Sequence, residues 1–133
     1  MPHFTKLTPN LIVSSVEKSL EFYEGALGFA RAMTVPEQSP FVFASVTSGP
    51  IEIFFNDRST VAKESPQFAG KPLGGGNTMF IEVDDVNALH DRIKDRVKIL
   101  LPIVDQWYGM REFAIEDPDG YVITFAQRIG QPS

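Results

Sequence analysis

The sequence has no cysteine among its 133 residues and only two histidines. Without cysteine the chain can form no disulfide, no thiol nucleophile and no cysteine-based zinc or iron–sulfur site. Long apolar runs are also missing, since the Ile99–Val104 stretch contains a proline and is far shorter than a bilayer span. The N-terminus lacks the basic-then-apolar pattern of a secretory signal. We therefore expect a cytoplasmic protein with no membrane partner.

Positive charge is scarce as well. There are 12 Lys and Arg residues against 17 Asp and Glu, which gives a formal net charge of −5. This balance offers no basic surface for nucleic acid or anionic lipid, so we expect neither as a partner. Aromatic residues are plentiful by contrast, with 11 Phe, 3 Tyr and 1 Trp. They either all belong to the core of a single domain or partly line a cavity for a small molecule.

The first half of the chain has the pattern strand–helix–strand–strand–strand. A strand covers about residues 6–13, and Ser14, three residues before Glu17, has the spacing of a helix N-cap. Gly28 stands where the end of that helix requires a positive φ. Strand-like runs follow at 29–35, 41–48 and 51–56, with a hairpin turn between the last two. The helix itself is predicted from an apolar stripe at helical spacing: Val16, Leu20, Tyr23 and Leu27.

The same pattern returns in the second half. Residues 57–76 have no periodicity and end in three glycines, so we interpret them as a connecting segment. A strand at 78–83 then leads to a helix capped by Asp84 or Asp85. Three strands follow, the last two joined by an Asp-Pro-Asp-Gly turn at 117–120; they lie near 98–104, 110–116 and 121–128.

The two halves are related by a fixed offset. Val13 and Val83 end the first strand of each half, 70 residues apart, and Val16 and Val86 open the two helices at the same distance. A period this long, occurring twice, indicates a duplicated module. We predict an α+β fold in which two βαβββ modules in one chain form a concave mixed sheet with helices on its outer face. The single domain spans 1–133, with module one at about 5–56 and module two at about 77–129.

Alternation along the strands predicts which residues share the face opposite the helices. That face needs a partner, either the other module of the same chain or a module of a second copy. Its polar and aromatic members suggest a pocket of mixed character. They include Thr8, Asn10 and Ile12 in the first strand, Glu52 and Phe54 in the hairpin, Thr78, Phe80 and Glu82 in the fifth strand, and Val122, Thr124 and Ala126 in the last.

Two stretches resemble the vicinal-oxygen-chelate superfamily, which contains glyoxalase I, ring-cleaving dioxygenases and bleomycin-resistance proteins. One is SLEFYEGALGF at 19–29, and the other is WYGMREFAIEDPDG at 107–120. The second is most similar to the bleomycin-resistance form, from which it departs by inserting Tyr108 and Met110. The resemblance covers about residues 7–128 and implies the two-module fold, but this fold hosts many chemistries.

The resemblance also implies four positions where the family's enzymes bind a divalent ion. In this sequence they are Thr8, Glu52, Thr78 and Thr124, and only Glu52 matches the usual ligand type. Threonine hydroxyls are poor ligands for zinc, iron or nickel. The two histidines do not replace the missing ligands, because His3 lies in the terminus and His90 is expected at the edge of the core. We therefore predict no metal and no other cofactor.

Three of the predicted ligand-binding positions carry alternatives. Glu52 is either an anion facing the ligand, or a general base, or one half of an ion pair for which Arg111 is the candidate partner. Trp107 and Tyr108 either form the rim of the pocket or plug an interface or the core. The full set of predicted ligand-binding residues is Thr8, Glu52, Phe54, Thr78, Phe80, Trp107, Tyr108, Arg111 and Thr124.

Three functions remain open on this basis. The favoured one is a metal-free protein that sequesters a planar or aromatic small molecule, as the bleomycin-resistance proteins do in antibiotic resistance; Glu52 and the acidic chain would suit a cationic ligand. The second is an enzyme of the superfamily, a lyase, isomerase or dioxygenase, with Glu52 as base. The third is a regulatory or interaction module. The resemblance further implies a homodimer, with the modules paired within one chain or across two.

Overall fold

The computed structural model of the protein describes residues 2–132. The chain divides between Lys71 and Pro72 into two compact units. No helix among the described residues is long and apolar enough to cross a membrane.

The first unit contains one four-stranded mixed sheet with the strand order β1-β4-β3-β2. β1 and β4 are parallel, and the other neighbours are antiparallel. Helix α1 continues directly into a π-helical segment, and both lie between β1 and β2. The elements are β1 (Asn10–Val13), α1 (Val16–Leu20), the π-helical segment (Glu21–Ala26), β2 (Ala30–Val35), β3 (Phe43–Ser48), β4 (Ile51–Asp57), α2 (Arg58–Glu64) and a 3-10 turn (Pro66–Phe68).

The second unit repeats this arrangement, with the strand order β5-β8-β7-β6 and a parallel pair formed by β5 and β8. Corresponding strands occupy corresponding places in the two sheets, which confirms the predicted α+β fold of two repeated modules. The elements are β5 (Thr78–Glu82), α3 (Val86–Ile93), β6 (Lys98–Asp105), β7 (Met110–Glu116) and β8 (Val122–Arg128).

Each sheet buries the face that carries its own helix. Helix α1 packs against β3 and β4, and α3 packs against β7 and β8. Val16 and Val86, which begin the two helices, are both completely buried. In the first unit the rings of Tyr23 and Phe55 are 4.8 Å apart. In the second, His90 packs edge-on against Phe113, with centroids 5.0 Å apart, so this histidine lies at the edge of the core as expected.

The helix caps differ in part from the prediction. Ser15, and not Ser14, caps α1, because its Oγ accepts a hydrogen bond of 3.2 Å from the backbone N–H of Lys18. The Glu17 carboxylate accepts hydrogen bonds from Ser39 Oγ at 2.6 Å and from the Phe41 N–H at 2.8 Å. In the second unit Asp85 caps α3 through the N–H of Ala88.

The segment after β4 contains a helix that the sequence analysis did not predict. Asp57 caps α2, and its Oδ2 accepts from the hydroxyl of Ser59 and from both the N–H and the hydroxyl of Thr60. Further on, the second unit begins with a close backbone approach. Gly74 has φ +77°, and a Cβ at this position would lie 2.5 Å from the backbone carbon of Gly120. Only glycine fits here, so the start of the unit is fixed against the turn between β7 and β8.

Candidate functional site

The first-module face is the side of the first sheet that carries Glu52 and Phe54, opposite α1. Register places Phe54 beside Asn10, and the Phe54 N–H donates to the carbonyl of Pro9 at 2.9 Å. The predicted residue Thr8 precedes β1 and is half-buried. β1 is therefore shorter than predicted, which is consistent with proline's lack of an N–H for the sheet.

Glu52 is paired with a lysine that the sequence analysis did not consider. Lys6 Nζ lies 2.5 Å from Glu52 Oε1. Of the alternatives for this carboxylate, the structure shows the ion pair, but the predicted partner Arg111 was wrong. The pair joins the N-terminal segment to β4. Lys6 is two residues before Thr8 and has the same strand parity, but parity alone does not identify its partner.

Phe54 forms the aromatic part of the first-module face. Its ring packs against Phe43, with centroids 5.2 Å apart and the planes at 62°. Thr47 lies directly opposite Glu52 in the register of β3 and β4, and Ser45 lies opposite Phe54. The face thus combines a carboxylate, hydroxyl groups and two rings, as its mixed pattern predicted.

The second-module face is the side of the second sheet that carries Phe80 and Thr124, opposite α3. These two residues are direct neighbours in the register of β5 and β8, and Ala114 lies on the other side of Thr124. Thr78 is paired with Val122, one pair further along, so its side chain is diagonal to Thr124. Phe80 is 53% exposed, which leaves a large aromatic surface on this face.

Glu112 on β7 also belongs to the second-module face, and the sequence analysis missed it. Glu112 pairs with Ala126 on β8, and Ala126 pairs with Glu82 on β5, so these three residues form one row across the sheet. The neighbouring row on the same face consists of Ala114, Thr124 and Phe80. Glu112 is only 5% exposed. Its Oε1 accepts from the Tyr108 hydroxyl at 2.7 Å and from Gln106 Nε2 at 3.3 Å. Parity could have identified it, since Glu112 is a carboxylate two residues from Ala114 and therefore shares its side of the strand.

Trp107 and Tyr108 form the turn between β6 and β7. The turn is closed by hydrogen bonds from the Gln106 N–H to the Met110 carbonyl at 2.8 Å and from the Gly109 N–H to the Gln106 carbonyl at 3.1 Å. The Trp107 ring meets the Tyr108 ring edge-on at 5.4 Å and is 68% exposed, so it does not plug the core of this unit. The hydrogen bond to Glu112 raises the pKa of the Tyr108 phenol, and partial desolvation and the carboxylate charge add to the effect.

Arg111 lies on the opposite side of β7 from Glu112. It has the parity of Phe113, which packs against α3, and its side chain is engaged by Asp105 through bonds of 2.7 and 3.1 Å. This bidentate pair raises the pKa of Arg111 and lowers that of Asp105. The predicted ligand-binding residue Arg111 therefore does not share the face of Thr124.

The residues at the four metal positions do not fit a divalent transition ion. Three of them, Thr8, Thr78 and Thr124, offer neutral hydroxyls, and the single carboxylate of Glu52 is bonded to Lys6. Within residues 2–132, no group of three or more His, Cys, Asp or Glu side chains is arranged to hold a metal ion.

Two βαβββ modules, each with a mixed polar and aromatic face, define the class of fold to which this protein belongs. The family model described as the Glyoxalase/Bleomycin resistance protein/Dioxygenase superfamily matches residues 1–125. The chain belongs to this superfamily.

Relatives and solved structures agree with this assignment. The chain is 31% identical over 131 residues to a bleomycin resistance protein of Geobacillus stearothermophilus, covering 91% of this chain and 95% of that protein, and equally similar to one from Staphylococcus aureus. A Nocardioides glyoxalase/bleomycin resistance protein/dioxygenase has a TM-score of 0.81 at 17% identity, over 100% of this chain and 90% of that one. A bleomycin-binding protein of Streptomyces verticillus, solved with copper(II)-bleomycin, has a TM-score of 0.64 at 23% identity, over 98% and 100%.

Proposed function

We propose that the protein binds and sequesters a planar or aromatic small molecule by noncovalent contacts and without a metal cofactor. The observation that carries this proposal is the exposed Trp107 ring on a turn whose backbone is fixed by hydrogen bonds. A large aromatic surface held in place is suited to stacking, because little conformational freedom is lost when a ligand binds.

The relatives support the class of ligand. Those at 31% identity are bleomycin resistance proteins, and one solved structure of the same fold is a complex with copper(II)-bleomycin. We propose that this chain takes a ligand of the same class.

Each face carries side chains that are suited to such a ligand. Phe54, Phe80 and Trp107 supply stacking surfaces. The hydroxyls of Thr8, Thr78 and Thr124 offer hydrogen bonds, while Glu52 and Tyr108 supply an acceptor and a further ring. Arg111 is left out of this set, because its guanidinium is occupied by Asp105 on the side of β7 that faces α3.

Titration with metal-free bleomycin and with acridine tests the proposal. Trp107 is the only tryptophan in the chain, so quenching of its fluorescence reports directly on a ligand at this turn. A stacked ring pair contributes about 0.5–1.5 kcal/mol, and we expect Trp107→Ala to weaken binding by up to about tenfold. Isothermal titration calorimetry measures this loss, because the variant contains no tryptophan. Phe68→Ala, at another exposed ring outside the two faces, is the matched control. If neither compound binds the wild-type protein at a 100-fold molar excess of compound over protein, the proposal is wrong.

We also propose that the two modules make up one functional domain and that the protein acts as a homodimer. Supporting the dimer, Met33 and Val35 are exposed on β2 and Leu100 is exposed on β6, and each of these strands is at one edge of its sheet. Exposed apolar edge strands favour association. Light scattering at micromolar concentration should give twice the 14.8 kDa chain mass; a monomer would contradict the proposal.

A further inference from the structure

One oxygen of the Glu112 carboxylate is buried without a donor. Oε1 is held by Tyr108 and Gln106, but Oε2 has no hydrogen-bond partner anywhere in residues 2–132 and is shielded from solvent. Burying an unpaired acceptor is unfavourable, and more so when the group can carry a charge. Such an unpaired carboxylate oxygen requires an explanation, and a donor from a bound molecule would supply one.

The position of Glu112 places this oxygen on the second-module face. The side chain leaves β7 on the same side as Ala114, next to the row that contains Thr124 and Phe80. Its bonds to Gln106 and Tyr108 connect it to the turn that presents Trp107. The chain thus combines, on one side of one sheet, an aromatic surface and a spare anionic acceptor.

The backbone of this turn is fixed from outside the hairpin. The Gly109 carbonyl accepts from the Ile129 N–H at 2.9 Å, and Arg128 Nη1 donates to the Tyr108 carbonyl at 3.2 Å. The turn that carries Tyr108, and with it the hydrogen bond from Tyr108 to Glu112, is therefore held in place.

We propose that Glu112 is the specificity-determining residue of the site and that its free oxygen accepts a hydrogen bond from a cationic nitrogen of an aromatic ligand. The inference rests on the proposed binding function and adds the charge of the ligand to it. Hydrogen bonds from cationic donors to carboxylates are the stronger kind, so the site should prefer an aromatic cation to a neutral ring of the same size.

A matched pair of probes tests the preference. At pH 7, 9-aminoacridine is a cation with N–H donors, whereas acridine has the same ring system and is neutral. We expect wild-type protein to bind 9-aminoacridine at least tenfold more tightly, equivalent to about 1.4 kcal/mol. Glu112→Gln should remove this preference and leave acridine affinity unchanged. Glu82→Gln, which makes the same charge change at an exposed position in the same row, is the control and should keep the preference.

The outcomes separate the two proposals. Two results would overturn the role of Glu112 while leaving the binding function intact. One is equal binding of both probes by wild-type protein, and the other is an equal loss of the preference for 9-aminoacridine in Glu112→Gln and Glu82→Gln. No binding of either probe or of bleomycin would remove both. If Glu112→Gln does not fold, carbon-13 NMR of the Glu carboxyl groups in the wild-type protein provides the test. We expect the Glu112 signal to shift when 9-aminoacridine is added and not when acridine is added. An unchanged signal would contradict the proposal.

Discussion

Lys6 and Glu52 are 46 residues apart in sequence, and their charged groups meet at 2.5 Å on the first-module face. The lysine comes from the segment before β1, and the carboxylate is the second residue of β4. The pair therefore both attaches the N-terminal segment to the sheet and partly neutralises the Glu52 carboxylate.

Replacing Lys6 should remove the ion pair that attaches the N-terminal segment to β4. We expect Lys6→Met to lower the free energy of unfolding by about 0.2–1 kcal/mol, which is the usual contribution of a partly exposed ion pair. Lys18→Met removes the same charge from an exposed position on α1 and should have a smaller effect, because Lys18 is not the partner of Glu52. Urea unfolding measures both; identical midpoints in the two variants would contradict the prediction.

The Trp107–Tyr108 turn depends on Gly109. This residue has φ +86°, and a Cβ would lie 2.3 Å from the backbone oxygen of Gly130. We expect Gly109→Ala to lower the free energy of unfolding by about 2 kcal/mol or more, because it adds both backbone strain and a clash. A Cβ at Gly75 would meet nothing within 4 Å, so Gly75→Ala should hardly change the free energy of unfolding. Urea unfolding compares the two, and equal midpoints would show that the turn tolerates a side chain.

The stability of the first unit should depend on the ionisation of Glu17. Hydrogen bonds from Ser39 and then from the Phe41 N–H lower its pKa below the ordinary value of 4.5. A lowered pKa in the folded state stabilises the protein above the unfolded value, and this contribution is lost as the pH falls through the folded value. Glu17→Gln should therefore reduce stability at pH 7 and flatten the decline below about pH 4.5.

Urea midpoints measured from pH 7 to pH 3 test this dependence. Glu21→Gln, an exposed acid on the following turn, is the control. If the two glutamine variants show the same pH profile, the bonds to Ser39 and Phe41 do not contribute as described.

The Tyr108 phenol should titrate above its ordinary pKa of 10.0, principally because it donates to Glu112. The pKa is raised in the folded state, so the stabilisation is complete below pH 10 and is lost as the pH rises through the folded value. Glu112→Gln should bring the Tyr108 pKa back towards 10. Ultraviolet titration of the phenolate absorbance measures this pKa, and the Tyr108→Phe variant identifies which part of the absorbance comes from Tyr108. An unchanged titration in Glu112→Gln would contradict the assigned bond.

Local signals were sufficient to predict most of the fold. Gly28 has φ +83° as its place after the helix required, and the Gly120 N–H donates to the Asp117 carbonyl in the predicted turn. Such features depend on residues close in sequence. Ser14 and Ser15 could not be distinguished in this way, because adjacent serines have identical capping chemistry. Helix α2 has no apolar stripe, and its cap at Asp57 was the only signal for it.

The candidate site was harder to predict because its contacts join distant segments. Neither the pairing of Lys6 with Glu52 nor the bonds from Gln106 and Tyr108 to Glu112 follow from composition or periodicity. Strand parity was informative but was not applied to β7. It would have placed Arg111 on the side of Phe113 and Glu112 on the side of Ala114.

The hydrogen bonds from Ile129 and Gly130 to the Gly109 carbonyl have a practical consequence for work on this protein. Residues 129 and 130 thus hold the loop that carries Trp107, whose fluorescence reports on ligands. A truncation after Arg128 would remove both donors and disturb that signal, so binding measurements require a protein that keeps Ile129 and Gly130.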